Sequence, residues 1–131
     1  MMSERFGRTT FHFDGGCRPN PGPMHAAVVS GGAVWFHDDL GTGDNNQAEW
    51  LALLLAMKHA QAQGCAEARF VGDSALVVAQ ASGRQPCRSP QLQPYLEAFR
   101  QAAAAFTKVQ VRHVPRTRNL AGIALARRDL P

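Results

Sequence analysis

No apolar stretch in the 131 residues approaches the ~18 that a membrane-spanning helix needs, and the opening Met1-Met2-Ser3-Glu4-Arg5-Phe6-Gly7-Arg8 has no apolar signal core. Cysteine is scarce. Cys17, Cys65 and Cys87 are odd in number and far apart, which excludes the paired spacing of a zinc site and points to a reducing compartment. These absences predict a soluble, cytoplasmic protein without a membrane partner. Internal repeats and low-complexity tracts are also lacking.

What is present suits one compact domain over residues 1–131, since a chain of this length with 45% hydrophobic residues can bury a real core. Lys and Arg outnumber Asp and Glu by 14 to 10, a net charge of +4 that favours a polyanionic partner. Ordinary surface composition gives the same balance, so the case for function rests on particular residues.

Thr9 to Asp14 alternates apolar and polar side chains, the period of a half-buried strand, which is expected to end at Asp14-Gly15-Gly16. After the loop Pro19 to Pro23, Met24–Ser30 and Ala33–Leu40 read as strands joined by a hairpin at Gly31-Gly32. Asn45 or Asn46 is expected to cap a helix from Gln47 to Gln63 that closes at Gly64. Ala66–Gly72 reads as a buried strand, and Ser74 as the cap of a short helix through Ala81. A helix over Gln91–Phe106, a strand over Lys108–Val114 halted by Pro115, and a helix over Asn119–Arg128 complete the order βββαβααβα. That order predicts an α/β fold: a five-stranded mixed sheet, its first three strands antiparallel, flanked by helices. Trp35 and Trp50 sit in periodic apolar segments and read as packing residues, as do Met24 and Met57.

Three acids stand in polar settings at element ends: Asp14 after the first strand, Glu49 in the first turn of the long helix, and Asp73 after the fourth strand. Singly, each has a local explanation as a turn residue, a cap or a complement to the helix dipole. Sheets of this kind bind ligands at strand ends where the strand order switches, which would bring Asp14 and Asp73 to one crevice. Clustered carboxylates suit Mg²⁺, the ion with which many enzymes break phosphodiesters.

Asp14-Gly15-Gly16-Cys17-Arg18-Pro19-Asn20-Pro21-Gly22, Asn45-Asn46-Gln47-Ala48-Glu49 and Asp73-Ser74 occur in order, each on the expected element. With the closing segment His113-Val114-Pro115-Arg116, Asn119, Gly122 and Ala124-Leu125-Ala126, this pattern resembles the type 1 ribonuclease H family from Phe11 through Ala126. The resemblance implies a ribonuclease H-like fold and a metal-dependent endonuclease that hydrolyses the RNA strand of RNA/DNA hybrids. It implies Asp14, Glu49 and Asp73 as catalytic residues and ligands of one or two Mg²⁺ or Mn²⁺ ions. The fourth acid of the family falls on Ile123, which has no lone pair to offer. Asp129 lies roughly 240° around the helix from that position, and Asp44 is a looser replacement. Hydrolysis is therefore expected at a reduced rate with a preference for Mn²⁺, and a hybrid-binding pseudoenzyme is the alternative.

The resemblance also implies nucleic-acid contacts at Gly15, Gly16, Cys17, Arg18, Asn20, Asn45, Asn46, Gln80, Arg116 and Asn119. Asparagine suits the RNA 2′-hydroxyl, since its amide offers two donors and a carbonyl without charge. Asn20, Asn45 and Asn46 also fit as turn or capping residues, and the glycines as turn residues. Arg84, Arg88, Arg116 and Arg118 add loop-borne positive charge for phosphates. The loop 115–118 lacks the histidine that many relatives carry, and His113 falls in the preceding strand. A monomer is expected.

Overall fold

The computed structural model describes residues 8–128. Strands β1 (Arg8–Cys17), β2 (Gly22–Ser30), β3 (Ala33–His37), β5 (Glu67–Gly72) and β6 (Lys108–His113) form a mixed sheet in the order β3-β2-β1-β5-β6, with a short β4 (Thr42–Gly43) paired to β2. Pairings β1–β2 and β2–β3 are antiparallel, whereas β1–β5 and β5–β6 are parallel and require the helical crossovers. The helices are α1 (Asn45–Ala62), α2 (Ala75–Ala81), α3 (Gln93–Ala103) and α4 (Leu120–Arg128), with a 3₁₀ turn at Arg116–Arg118. The expected mixed sheet with flanking helices is present, and β4 is an addition. No helix among the described residues is long and apolar enough to cross a membrane.

Several boundaries moved for identifiable reasons. β1 continues beyond Asp14, because Gly15, Gly16 and Cys17 still pair with Ala26, His25 and Met24. Gly15 permits this: a Cβ there would drive into the Ala48 carbonyl at the start of α1. The cap of α1 is Asp44, not Asn45 or Asn46. The Asp44 carboxylate accepts from the Gln47 amide at 2.8 Å and the Gln47 side chain accepts from the Asp44 amide at 2.9 Å, a reciprocal capping box. Ser74 caps α2 as expected, accepting from the Val77 amide at 3.2 Å. β3 stops at His37 instead of Leu40, and α3 is shorter at both ends than its apolar pattern suggested.

The alternation in β1 divides the molecule. Phe11 and Phe13 face α1 in the main core with Trp50, Leu53, Met57 and Phe70, all fully buried. Ala27 and Val29 of β2 meet Ala121 and Leu125 of α4 in a smaller core on the other face. Trp50 donates its indole N–H to Gln80 Oε1 at 3.1 Å, so the main core contains a satisfied polar pair. Met24 and Met57 are buried, and Trp35 is half-buried at the sheet edge, stacked on His59.

Candidate active site

The parallel register of β1 and β5 sets His12 beside Val71, and two residues further along it brings Asp14 level with Asp73. Glu49 reaches the same point from the second turn of α1, not the first turn expected from the sequence, and Gly15 N–H donates to its Oε1 at 3.2 Å. The three carboxylates offer oxygens that all lie within 4.8 Å of one another. Three chain-distant segments thus converge at one end of the sheet.

Burial and mutual repulsion dominate the electrostatics. Burial, and then the charges of Asp14 and Asp73, push Glu49 up to about 9. Asp14 is pushed up to about 6, first by burial and then by Asp73, with the Arg116 guanidinium acting in the opposite direction. An all-oxygen donor set under this strain fits a hard divalent cation, which would relieve the repulsion and hold the acids ionised. Metal-free protein carries the strain as a stability cost. A carboxyl whose folded pKa is raised loses stability as pH climbs from its ordinary value of 4.5 toward about 9. Between pH 5 and 8, in EDTA, Glu49→Gln is expected to gain melting temperature relative to wild type, by roughly 4 °C per kcal/mol relieved. Added Mn²⁺ should stabilise wild type more than the variant, and a wild-type minus variant difference flat in pH would contradict the electrostatic account.

A cleft of about 510 Å³ opens onto Asp14 and Glu49. Of the sequence-predicted residues, Asp14, Glu49, Gly15, Gly16, Cys17, Arg18, Asn45, Arg116 and Ile123 line it. Asn20 supports its wall: Asn20 Oδ1 accepts from the Asn45 amide at 3.2 Å, and the Cys17 thiol donates to Asn20 Oδ1 at 3.5 Å and Asn45 Oδ1 at 3.4 Å. Asn46 is exposed in the first turn of α1. Arg84 lies elsewhere, in a groove with Arg112 and the exposed His113.

Two of the expected nucleic-acid contacts lie buried among partners within the protein. Gln80 is 5% exposed and engaged with Trp50. Asn119 is fully buried, its Nδ2 donating to the Phe13 carbonyl at 2.9 Å and Asp73 Oδ2 at 3.1 Å while its Oδ1 accepts from the Ala121 amide. Asn119 therefore positions Asp73 and starts α4. Asn119→Ala should cost about 2–3 kcal/mol in urea unfolding, because it strands a buried carbonyl and amide. Loss of less than about 0.5 kcal/mol would remove it from this role. Asp44, engaged in its capping box, is not free to serve as a ligand. Asp129 lies outside the described residues.

Sequence reasoning missed His25, Thr117, Gly122, Leu125 and Ala126, which also line the cleft. His25 was detectable in principle, because the β1–β2 register sets it beside Gly16. Gly122 stood in the closing segment of the family pattern but had no role at the site assigned to it. A Cβ there would stand 3.3 Å from Asp14 Oδ2 and 3.7 Å from Asp73 Oδ2, so α4 meets the acids at this residue.

A family model described as "Reverse transcriptase-like" matches residues 13–129. The ribonuclease HI of Halobacterium salinarum is 36% identical over 135 residues, covering 99% of this chain and 68% of that protein. The chain belongs to the type 1 ribonuclease H family. The solved structure of the ribonuclease H from Halobacterium salinarum superposes with a TM-score of 0.83 at 35% identity, covering 90% of this chain and 93% of that one. The amino-terminal ribonuclease H domain of a Mycobacterium tuberculosis protein, solved as a fusion with maltose-binding protein, gives 0.80 at 30% identity and covers 94% and 99%. A compost-derived type 1 ribonuclease H in complex with an RNA/DNA hybrid gives 0.78 at 27% identity, covering 85% and 88%. The bifunctional Mycobacterium tuberculosis protein is 34% identical over 81% of this chain, which spans 31% of its length. The ribonuclease H fold thus accounts for both the strand order and the place where the acids meet.

Proposed function

We propose that the chain is a divalent-metal-dependent endoribonuclease that hydrolyses the RNA strand of RNA/DNA hybrids, at a rate lowered by Ile123. The observation that carries this reading is the convergence of Asp14, Glu49 and Asp73 within 4.8 Å, with Asp14 and Glu49 lining an open cleft. Asp14, Glu49 and Asp73 would hold Mg²⁺ or Mn²⁺, which when bound would supply an activated water and stabilisation of the departing oxygen.

The chain's own residues do the rest. Asn119 fixes the Asp73 carboxylate and Gly15 N–H fixes that of Glu49, so two of the acids are oriented before any ligand arrives. Arg116 and Arg18 bring positive charge to the cleft, where a phosphate would sit. Asn45 lines the cleft beside Cys17, and its amide is suited to a 2′-hydroxyl, which DNA lacks. The solved complex of a family member with an RNA/DNA hybrid supports this class of substrate.

Ile123 favours a second reading, a hybrid-binding protein that does not cut, because the cleft wall there offers no oxygen donor. Labelled RNA/DNA hybrid, double-stranded RNA, duplex DNA and single strands, each with Mn²⁺, Mg²⁺ or EDTA, separate the two. Metal-dependent cleavage of the hybrid alone is expected. Retarded but uncut hybrid at millimolar Mn²⁺ would establish the second reading.

A further inference from the structure

The sheet ends at β3, whose outer edge has no strand partner among the described residues. Soluble proteins guard such edges with lysine, proline, a bulge or a covering element, because a free row of N–H and C=O groups recruits another strand. Ala33-Val34-Trp35-Phe36-His37 has neither lysine nor proline, and all five residues pair with β2 without a bulge. Val34 and Phe36 are 44% and 41% exposed and, with Leu120, are the exposed large hydrophobic side chains of the described residues. All three line one groove of about 580 Å³, with Ile123 and Ala124 as further apolar wall and Arg127 as its charge. Apolar surface gathered in this way marks an association site.

We propose that this edge is a homodimer interface, in which β3 of two copies pairs antiparallel about a two-fold axis at Trp35. The register leads to this occupant. Gly31 and Gly32, with φ of 55° and 87°, form the two-residue turn between the paired Ser30 and Ala33. The pair flanking such a turn exchanges both backbone bonds and the ladder alternates from there. Ala33, Trp35 and His37 therefore bond toward β2, and the N–H and C=O groups of Val34 and Phe36 point outward. Antiparallel pairing about Trp35 sets Val34 against Phe36 of the partner subunit and Phe36 against Val34 of the partner subunit. Each pair exchanges both bonds and matches apolar with apolar.

Charge agrees with this register. Asp38 is already held by Arg128 of its own chain through two bonds of 3.0 Å, and Asp39 is carried toward Gly31 of the partner subunit, at the turn that shares its groove with Arg127, so like charges do not face each other. The contact is self-complementary and closes at two copies, in contrast to the monomer expected from the sequence. β3 runs parallel to β1, since both are antiparallel to β2. The two-fold axis therefore sends the catalytic clefts to opposite ends of one continuous sheet, and each stays open to its own substrate.

Light scattering on the full chain, from micromolar to submillimolar concentration, is expected to reach twice the 14.2 kDa chain mass. Val34→Lys, which places a charge beside the pairing edge, is expected to stay monomeric and to melt at a temperature independent of protein concentration, whereas that of wild type rises with concentration. Oxidised Trp35→Cys is expected to run as a linked dimer on a non-reducing gel, because facing Cα atoms about 4.5 Å apart suit a disulfide. Wild type, with its own cysteines, should stay unlinked. Val34→Cys mixed with Phe36→Cys tests the neighbouring pair without touching Trp35. A wild type that is monomeric throughout, a dimer that survives Val34→Lys, or absence of both cross-links would overturn the proposal.

Discussion

Asp14→Asn is expected to lower hybrid cleavage by more than about 100-fold, the upper end of the loss from removing even an outer-shell partner of a metal. Asp14 is the central acid of the cluster: it lies at 3.3 Å from where a Cβ on Gly122 would stand, and it contributes to the raised pKa of Glu49. Asparagine keeps the shape and removes the charge. The same change should raise the melting temperature of metal-free protein, since Glu49 and Asp73 then repel one another without a third charge. Single-turnover cleavage of a labelled hybrid, together with melting in EDTA, reads both effects. A rate within about tenfold of wild type would show that the acids are not the reacting site.

The second large effect is a gain. Ile123→Asp is expected to raise cleavage by about 10–100-fold at limiting Mn²⁺ and to lower the metal concentration needed for half-maximal rate. Position 123 lines the cleft together with Asp14 and Glu49, so an aspartate there adds an oxygen donor on the α4 side. An acid at Gly122 would not serve, because its Cβ would already crowd the Asp14 carboxylate. Ile123 also lines the apolar groove beside Leu120, and its loss from that surface should cost little, since the residue is only half-buried. A metal titration of Ile123→Asp that overlays wild type would mean that the missing acid does not limit this enzyme.

Helix and strand identity was legible wherever one periodicity ran without competition. Phe11 and Phe13 against His12 announced β1, and Ser74 announced α2. The differences arise where a specific bond or a distant group decides. Asn45 and Asn46 are as good caps by composition as Asp44, but the reciprocal bonds of Asp44 with Gln47 fix the start of α1. β1 outran its glycines because β2 supplied partners and the Ala48 carbonyl occupied the space of a side chain. Asn119 and Gln80 are polar and read as surface contacts, but both are buried where a carboxylate and an indole N–H needed partners.

By itself the sequence determined the strand and helix alphabet, the three acids and the isoleucine where a fourth is expected, because each is carried by residue type, spacing and order. The tertiary structure alone decided that the acids meet within 4.8 Å, that Gly122 abuts them, and that Asn119 holds Asp73 in place. Those facts depend on the parallel β1–β5 register and on the packing of α4, contacts between residues as much as 108 positions apart, which no local pattern encodes.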